Sequence, residues 1–154
     1  MQQAALQKVQ ILLTVYWNYW PTTDDNTLHH GDCTGSDEQV FDAAKALGFA
    51  TVAYPASDVD DRWRAKTESD IIHHAEPALK RNHTIVGRSN VLIAAVHGFN
   101  PSKMQERSGT WATIRYAKKE GVPFWLVDPL GVAQFYPVPS HRETLGVIGF
   151  YWDV

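Results

Sequence analysis

Six consecutive apolar residues, Val91-Leu92-Ile93-Ala94-Ala95-Val96, leave no polar face to turn toward water, and such a run suits a strand buried on both sides. Further runs of strand length stand at 9–14, 51–54 and 123–127, with a shorter one at 27–30. Helical spacing fills the intervals. Between 36 and 47, Val40, Ala43, Ala44 and Leu47 fall at i, i+3, i+4 and i+7; Ser36 with Gln39 fits a capping box, and Gly48 fits a left-handed stop. A second helix is expected from about Glu76, with Pro77 in its first turn and Leu79, Asn82 and Val86 on one side, ending within 87–90. A third is expected over 108–120, turning Trp111, Ile114 and Ala117 inward, with Lys118 and Lys119 in the last turn and Gly121 at its end.

Strands that alternate with helices in this way predict an α/β fold: a Rossmann-like three-layer domain with a mostly parallel central sheet and helices on both faces. At 154 residues, with no repeat and no linker-like stretch, the chain is expected to form one domain over 1–154. Two regions fit less well. Between the expected first strand and Leu28 the crossover is short, over 15–26, and is filled by Tyr16, Trp17, Tyr19 and Trp20. These aromatics are expected to form a dimer contact or cover a sheet edge, with a pocket wall as the alternative. The segment 133–154 carries apolar stretches at 135–138 and 145–152 whose pairing the pattern leaves open.

A net charge of -3 argues against a long polyanion as partner, since phosphate backbones are met with an excess of Lys and Arg, so nucleic acid is not expected. Cys33 is the sole cysteine, which rules out an internal disulfide and makes the cytoplasm the default compartment. The apolar stretch at 9–15 is too short for a membrane span and lacks a signal-peptide layout, so no membrane partner is expected.

Ligands of open parallel sheets sit beyond the carboxyl ends of the strands, where strand hands over to helix. Two such turns stand out. The first is Gly31-Asp32-Cys33-Thr34-Gly35-Ser36-Asp37: its glycines allow close backbone approach, while Thr34, Ser36 and the free amides of the helix start can donate to phosphate or ribose oxygens. Asp32 and Asp37 suit sugar hydroxyls or structural contacts better than phosphate. The second is Arg107-Ser108-Gly109-Thr110-Trp111, with a guanidinium for phosphate, two hydroxyls, and an indole that either stacks on a base or packs inward, inward being the commoner role. Residues 97–106 before it are long enough for a flap.

Taken with Arg81-Asn82 in the middle helix and Val-Leu-Ile-Ala-Ala before the second turn, these motifs resemble the SLOG superfamily over about 29–128. That group includes YpsA-like and DprA-like proteins and the LOG-type phosphoribohydrolases. The resemblance implies both turns around one nucleotide-sized site, no required cofactor, a nucleotide, NAD-derived or ADP-ribose-like ligand, a phosphate-binding role for Arg81 and Asn82, and a homodimer. The LOG-type pattern Gly-Gly-x-Gly-Thr-x-x-Glu departs here. Aligning Gly109-Thr110 puts Glu106 and Arg107 at the glycine pair and Thr113 at the catalytic acid. Hydrolysis of an N-glycosidic bond would then need Asp32, Asp37 or Glu106.

The expectation is therefore a binding module, a sensor or a protein that sequesters a nucleotide-derived signal. The alternative is a LOG-like nucleoside-monophosphate phosphoribohydrolase. His29, His30 and Cys33, and the pair His73-His74, match no standard zinc spacing, so no metal is expected. Cys33 is a nucleophile only if His30 or Asp32 activates it. The Asp- and Arg-rich stretch 57–70 reads as a surface loop able to close over a ligand.

Overall fold

The computed structural model describes residues 1–20, 26–96, 109–137 and 146–152, with the side chains of 109, 110 and 152 left out. The strands are β1 (Thr27–His30), β2 (Ala50–Ala53), β3 (Ile71–Ile72), β4 (Val91–Ala95), β5 (Phe124–Val127), β6 (Ala133–Tyr136) and β7 (Val147–Trp152). They form one sheet in the order β3-β2-β1-β7-β4-β5-β6, parallel throughout except for β6, which pairs antiparallel with β5. The helices are α1 (Gln3–Tyr19), α2 (Ser36–Leu47), α3 (Ala78–Gly87) and α4 (Gly109–Glu120).

Strand β4 shows why the apolar runs carry no alternation. Val91, Ile93 and Ala95 pack with α1 and α2 around Val9, Leu13, Val40 and Ala44. Leu92, Ala94 and Val96 pack on the other face with Val86 of α3 and Trp111, Ile114 and Ala117 of α4. Successive residues point to opposite faces, and both faces are covered. The expected three-layer α/β architecture is the one found.

The run at 9–14 is helix, not strand, and this corrects the reading of the N-terminus. Ala5, Val9, Leu12 and Leu13 lie at i, i+4, i+7 and i+8 and form one buried stripe, whereas Gln10, Ile11, Thr14 and Val15 are exposed. A short apolar run fits either period, and here the 3.6-residue stripe extending back to Ala5 wins. No strand precedes β1 among the described residues, and 15–19 continue α1 instead of forming a shortened crossover. The aromatics pack within the chain: Trp125 Nε1 donates to Tyr16 Oη at 3.0 Å, Tyr16 lies against Trp20, and Trp17 against Phe49, while Tyr19 stays exposed.

Other boundaries shift by a residue or two. The amide of Gly35, at the N-cap of α2, donates to Glu38 at 3.3 Å, so half of a capping box sits one position before the expected Ser36–Gln39 pair, and Gly35 has no side chain to supply the other half. Ser36 Oγ and Gln39 Oε1 are buried without a hydrogen-bond partner among the described residues. Gly48 closes α2 at φ 102°, as expected. On α3 the buried stripe is Arg81, Asn82, Ile85 and Val86, and Leu79 is exposed.

The segment left open by the pattern becomes the middle of the sheet. Strand β7 inserts between β1 and β4, with Ile148 opposite both Leu28 and Val91. Ile148 and Phe150 are fully buried, and side chains of this size contribute about 1.5–3 kcal/mol each on burial. A Cβ at Gly149 would collide with Ser89 Oγ and touch Ile85, so the glycine lets α3 lie close to this strand.

Candidate functional site

The carboxyl end of β1 runs into residues 31–37, and the carboxyl end of β7 brings Phe150 and Tyr151 beside it. With the start of α3 and the segment after β2, these enclose a cavity of about 780 Å³. Its wall includes Gly31, Cys33, Thr34 and Asp37 from the first turn, Arg81, Asn82 and Ile85 from α3, and Asp58, Val59 and Trp63 from the loop after β2. The volume lies within the range of small-molecule sites, roughly 300–1,000 Å³.

Arg81 organises this wall. Its Nη1 donates to the Gly31 carbonyl at 2.7 Å and to the Tyr54 carbonyl at 3.0 Å, while Nε donates to Asn82 Oδ1 at 2.8 Å. A guanidinium donating to carbonyls makes stronger bonds than a neutral donor, so the clamp ties α3 to the ends of β1 and β2. Gly31 makes room for this approach, because an added Cβ would lie 2.7 Å from Arg81 Nη1 and 3.0 Å from Asp37 Oδ2 and would displace the guanidinium.

Asp32 and Asp37 separate into different roles. Asp32 adopts φ 56°, in the left-handed region that Asp tolerates better than most residues, and turns its carboxylate away to accept from Thr67 N at 3.0 Å and Thr67 Oγ1 at 2.8 Å. It pins the 57–70 loop and does not line the cavity. Asp37 does line it, accepting from Cys33 N at 2.9 Å. Burial pushes its carboxyl up to about 6, with the Cys33 amide and Arg81 pulling the other way.

The Cys33 thiol is pushed up to about 11 by burial and then by Asp37, which keeps it protonated near neutral pH and removes the activated-nucleophile reading. His30 is also set by its contacts. The Asp32 amide donates to His30 Nδ1 at 3.1 Å, so this nitrogen is the acceptor, and Nε2 is left to donate to Ser69 Oγ at 2.9 Å. Burial holds both His29 and His30 at about 4, hence neutral. His30 faces Phe41 of α2, whereas His29 faces Tyr54 on the α3 side, so opposite faces of the strand keep the two rings from sharing an ion. His73, His74 and Glu76 do offer ligand atoms within 4.8 Å of one another. His73 Nδ1 already bonds the His74 carbonyl at 2.9 Å, and Glu76 is engaged by Thr84 and Lys80.

Six of the residues expected at the site thus share the cavity wall: Gly31, Cys33, Thr34, Asp37, Arg81 and Asn82. Gly35 is exposed, and Ser36 is buried under the first turn of α2. Trp111 is 5 % exposed within the α4-side core, the inward role, and is not on the wall. Thr113, at the position of the LOG-type acid, is fully buried. Glu106, Arg107 and Ser108 lie outside the described residues, as does the expected flap; Gly109 and Thr110 open α4, but their side chains are not described. Because β4 and β5 run parallel, α4 opens at the same sheet rim as the cavity.

The structure also brings Trp63 and Asp58 onto the wall, from a stretch that composition marks as a surface loop able to close over a ligand. The available signal was a lone tryptophan in an otherwise polar loop, which is unusual unless the ring has something to meet. The loop is tied to the first turn by Thr34 N donating to Trp63 O at 2.9 Å, by Ala65 N donating to Asp32 O at 2.8 Å, and by an antiparallel bridge between Cys33 and Arg64.

Comparison with known protein families, with curated proteins and with solved structures finds no match to this chain. Among the described residues, no helix is long and apolar enough to cross a membrane.

Proposed function

We propose that the cavity binds a nucleotide or nucleotide-derived small molecule and that the chain acts as a cytoplasmic sensor or sequestering module. One observation carries this reading. The 31–37 turn and the Arg81-Asn82 pair, far apart in sequence, meet on one cavity of about 780 Å³ at the carboxyl rim of a parallel sheet. The SLOG resemblance is consistent with that meeting and supplies the ligand class, with Arg107, Ser108, Gly109 and Thr110 as its second half. Trp111 is left out of the proposed site because its ring belongs to the core.

A second reading, N-glycosidic hydrolysis of a nucleoside monophosphate, is favoured by one feature. Asp37 stands on the cavity wall with its carboxyl near 6, a value suited to passing a proton at neutral pH. Against it, the LOG-type acid position is a buried threonine.

A thermal-shift screen with nucleoside monophosphates, NAD, ADP-ribose and cyclic nucleotides tests both. A ligand at a hundred times its Kd adds about 2.7 kcal/mol of stability. Chromatography of the stabilising compound after incubation separates the readings, since intact ligand supports binding and free base supports hydrolysis. No stabilisation by any of these compounds removes the proposal.

A homodimer is part of the same proposal. It is supported by Ile11, Val15 and Tyr19, which lie at i, i+4 and i+8 on the outer face of α1 and are each more than half exposed. A monomer mass by sedimentation equilibrium at micromolar concentration removes that part alone.

A further inference from the structure

The cavity has an aromatic wall that the nucleotide-binding reading does not by itself require. Trp63 lines it while remaining 53 % exposed, in a chain whose other described large rings are mostly packed away. Its backbone is held at both ends of a short 3-10 turn, with Trp63 N donating to Asp60 O at 2.9 Å and Trp63 O accepting from Thr34 N at 2.9 Å. The Arg62 guanidinium lies over the ring, 5.2 Å from its centroid. The backbone that carries the indole gives up little further freedom when a second ring is laid against it, so the position of the platform is preorganised.

The charges around the cavity point in the same direction. Among the described wall residues the ionisable side chains that bear on an anion are Arg81, Asp37 and Asp58. The Arg81 Nη1 and Nε groups are committed to Gly31, Tyr54 and Asn82. The start of α3, where a phosphate would ordinarily sit, is occupied by Asp58, whose Oδ1 accepts from the Ala78 amide at 2.8 Å. This half of the cavity therefore favours apolar and stacking contacts over a bare anion, with the carboxylates available to hydroxyl or amino donors.

We infer that Trp63 is the platform on which a planar aromatic ring of the ligand stacks, so that the cavity selects base-bearing ligands over the corresponding sugar phosphate. This inference rests on the nucleotide-binding reading and adds to it a specificity residue and the part of the ligand that carries the affinity.

The test is calorimetric titration of the wild-type chain, Trp63→Ala and Trp63→Phe with the four ribonucleoside 5′-monophosphates and with ribose 5-phosphate, alongside a thermal melt of each protein. The wild type should bind at least one monophosphate more tightly than ribose 5-phosphate. Trp63→Ala should weaken that monophosphate by roughly tenfold to a hundredfold, leave ribose 5-phosphate within about twofold, and melt like the wild type. Trp63→Phe, which keeps a ring, should recover most of the loss. Unchanged monophosphate affinity in Trp63→Ala, equal weakening of both probes, or a wild type that binds ribose 5-phosphate as tightly as the monophosphates overturns the stacking role and leaves the nucleotide reading standing. Binding of none of the probes overturns the inference, and the nucleotide reading then falls only if NAD, ADP-ribose and the cyclic nucleotides also fail to stabilise the chain.

Discussion

The Arg81 guanidinium donates to the Gly31 carbonyl at 2.7 Å, across fifty positions of sequence, and this single bond joins the first helix-entry turn to α3 at the floor of the cavity. Because the same Nη1 also reaches the Tyr54 carbonyl, three elements meet at one planar group. Arg81 is therefore first a scaffold and only then a candidate ligand contact.

Replacing Arg81 with Lys is expected to cost about 2–4 kcal/mol in urea unfolding, because one ammonium cannot reproduce the fork and buried carbonyls lose their donors. Gly31→Ala is expected to cost about 1–3 kcal/mol by pushing a methyl into the same guanidinium. In a double-mutant cycle with Arg81→Ala, the two losses should be clearly less than additive. Additive losses would mean that the residues do not act through one contact.

Acid sensitivity should come from β1. The folded-state values of His29 and His30 are about 4 against an ordinary 6.5, so the unfolded chain binds more protons between those values and stability falls as pH drops through that window. Each imidazole contributes on the order of 3 kcal/mol at neutral pH that is lost toward pH 4. His30→Asn keeps an acceptor for the Asp32 amide but cannot titrate. The slope of the urea midpoint between pH 6.5 and 4 should become shallower, and an unchanged slope would contradict a buried neutral imidazole.

Asp37 acts with the opposite sign. Its folded value is raised from 3.8 to about 6, so the native state binds the extra proton and its contribution is lost as pH rises from about 4 to 6. Without ligand, Asp37→Asn should be more stable than the wild type at pH 8, by about 1–3 kcal/mol. If hydrolysis is the activity, the same variant should abolish product formation while still giving a ligand-induced shift.

Cys33 should be a poor nucleophile in the folded chain. With its thiol near 11, alkylation by iodoacetamide at pH 8 should run at least about tenfold slower in the native protein than in urea. Comparable rates, read by intact mass, would place the sulfur in a more polar setting.

The C-terminal strand should be indispensable. Gly149→Ala is expected to lower stability by about 1–3 kcal/mol, and Ser89→Ala should partly restore it, since the Ser89 hydroxyl is the nearest obstacle. Deleting 146–154 should prevent folding, read as loss of the cooperative melt, because β1 and β4 then have no shared neighbour.

The continuous apolar run of β4, the Val40 and Ala44 face of α2 and the left-handed stop at Gly48 were legible from residue spacing alone, because period and turn chemistry are local properties of the chain. So was the first turn as a place where a sheet meets a helix, and four of its residues do line the cavity. Spacing could not assign 9–14, since a six-residue apolar run satisfies both periods until the stripe is seen to continue to Ala5. Nor could it place β7 between β1 and β4, because strand order is decided by which buried faces fit together and not by position in the sequence. Only tertiary structure turned Asp32 away from the cavity to Thr67, left Asp37 facing the cavity and brought Trp63 to its rim. The placements of Asp32 and Trp63 depend on contacts between segments some thirty or more residues apart, whose geometry no local pattern encodes.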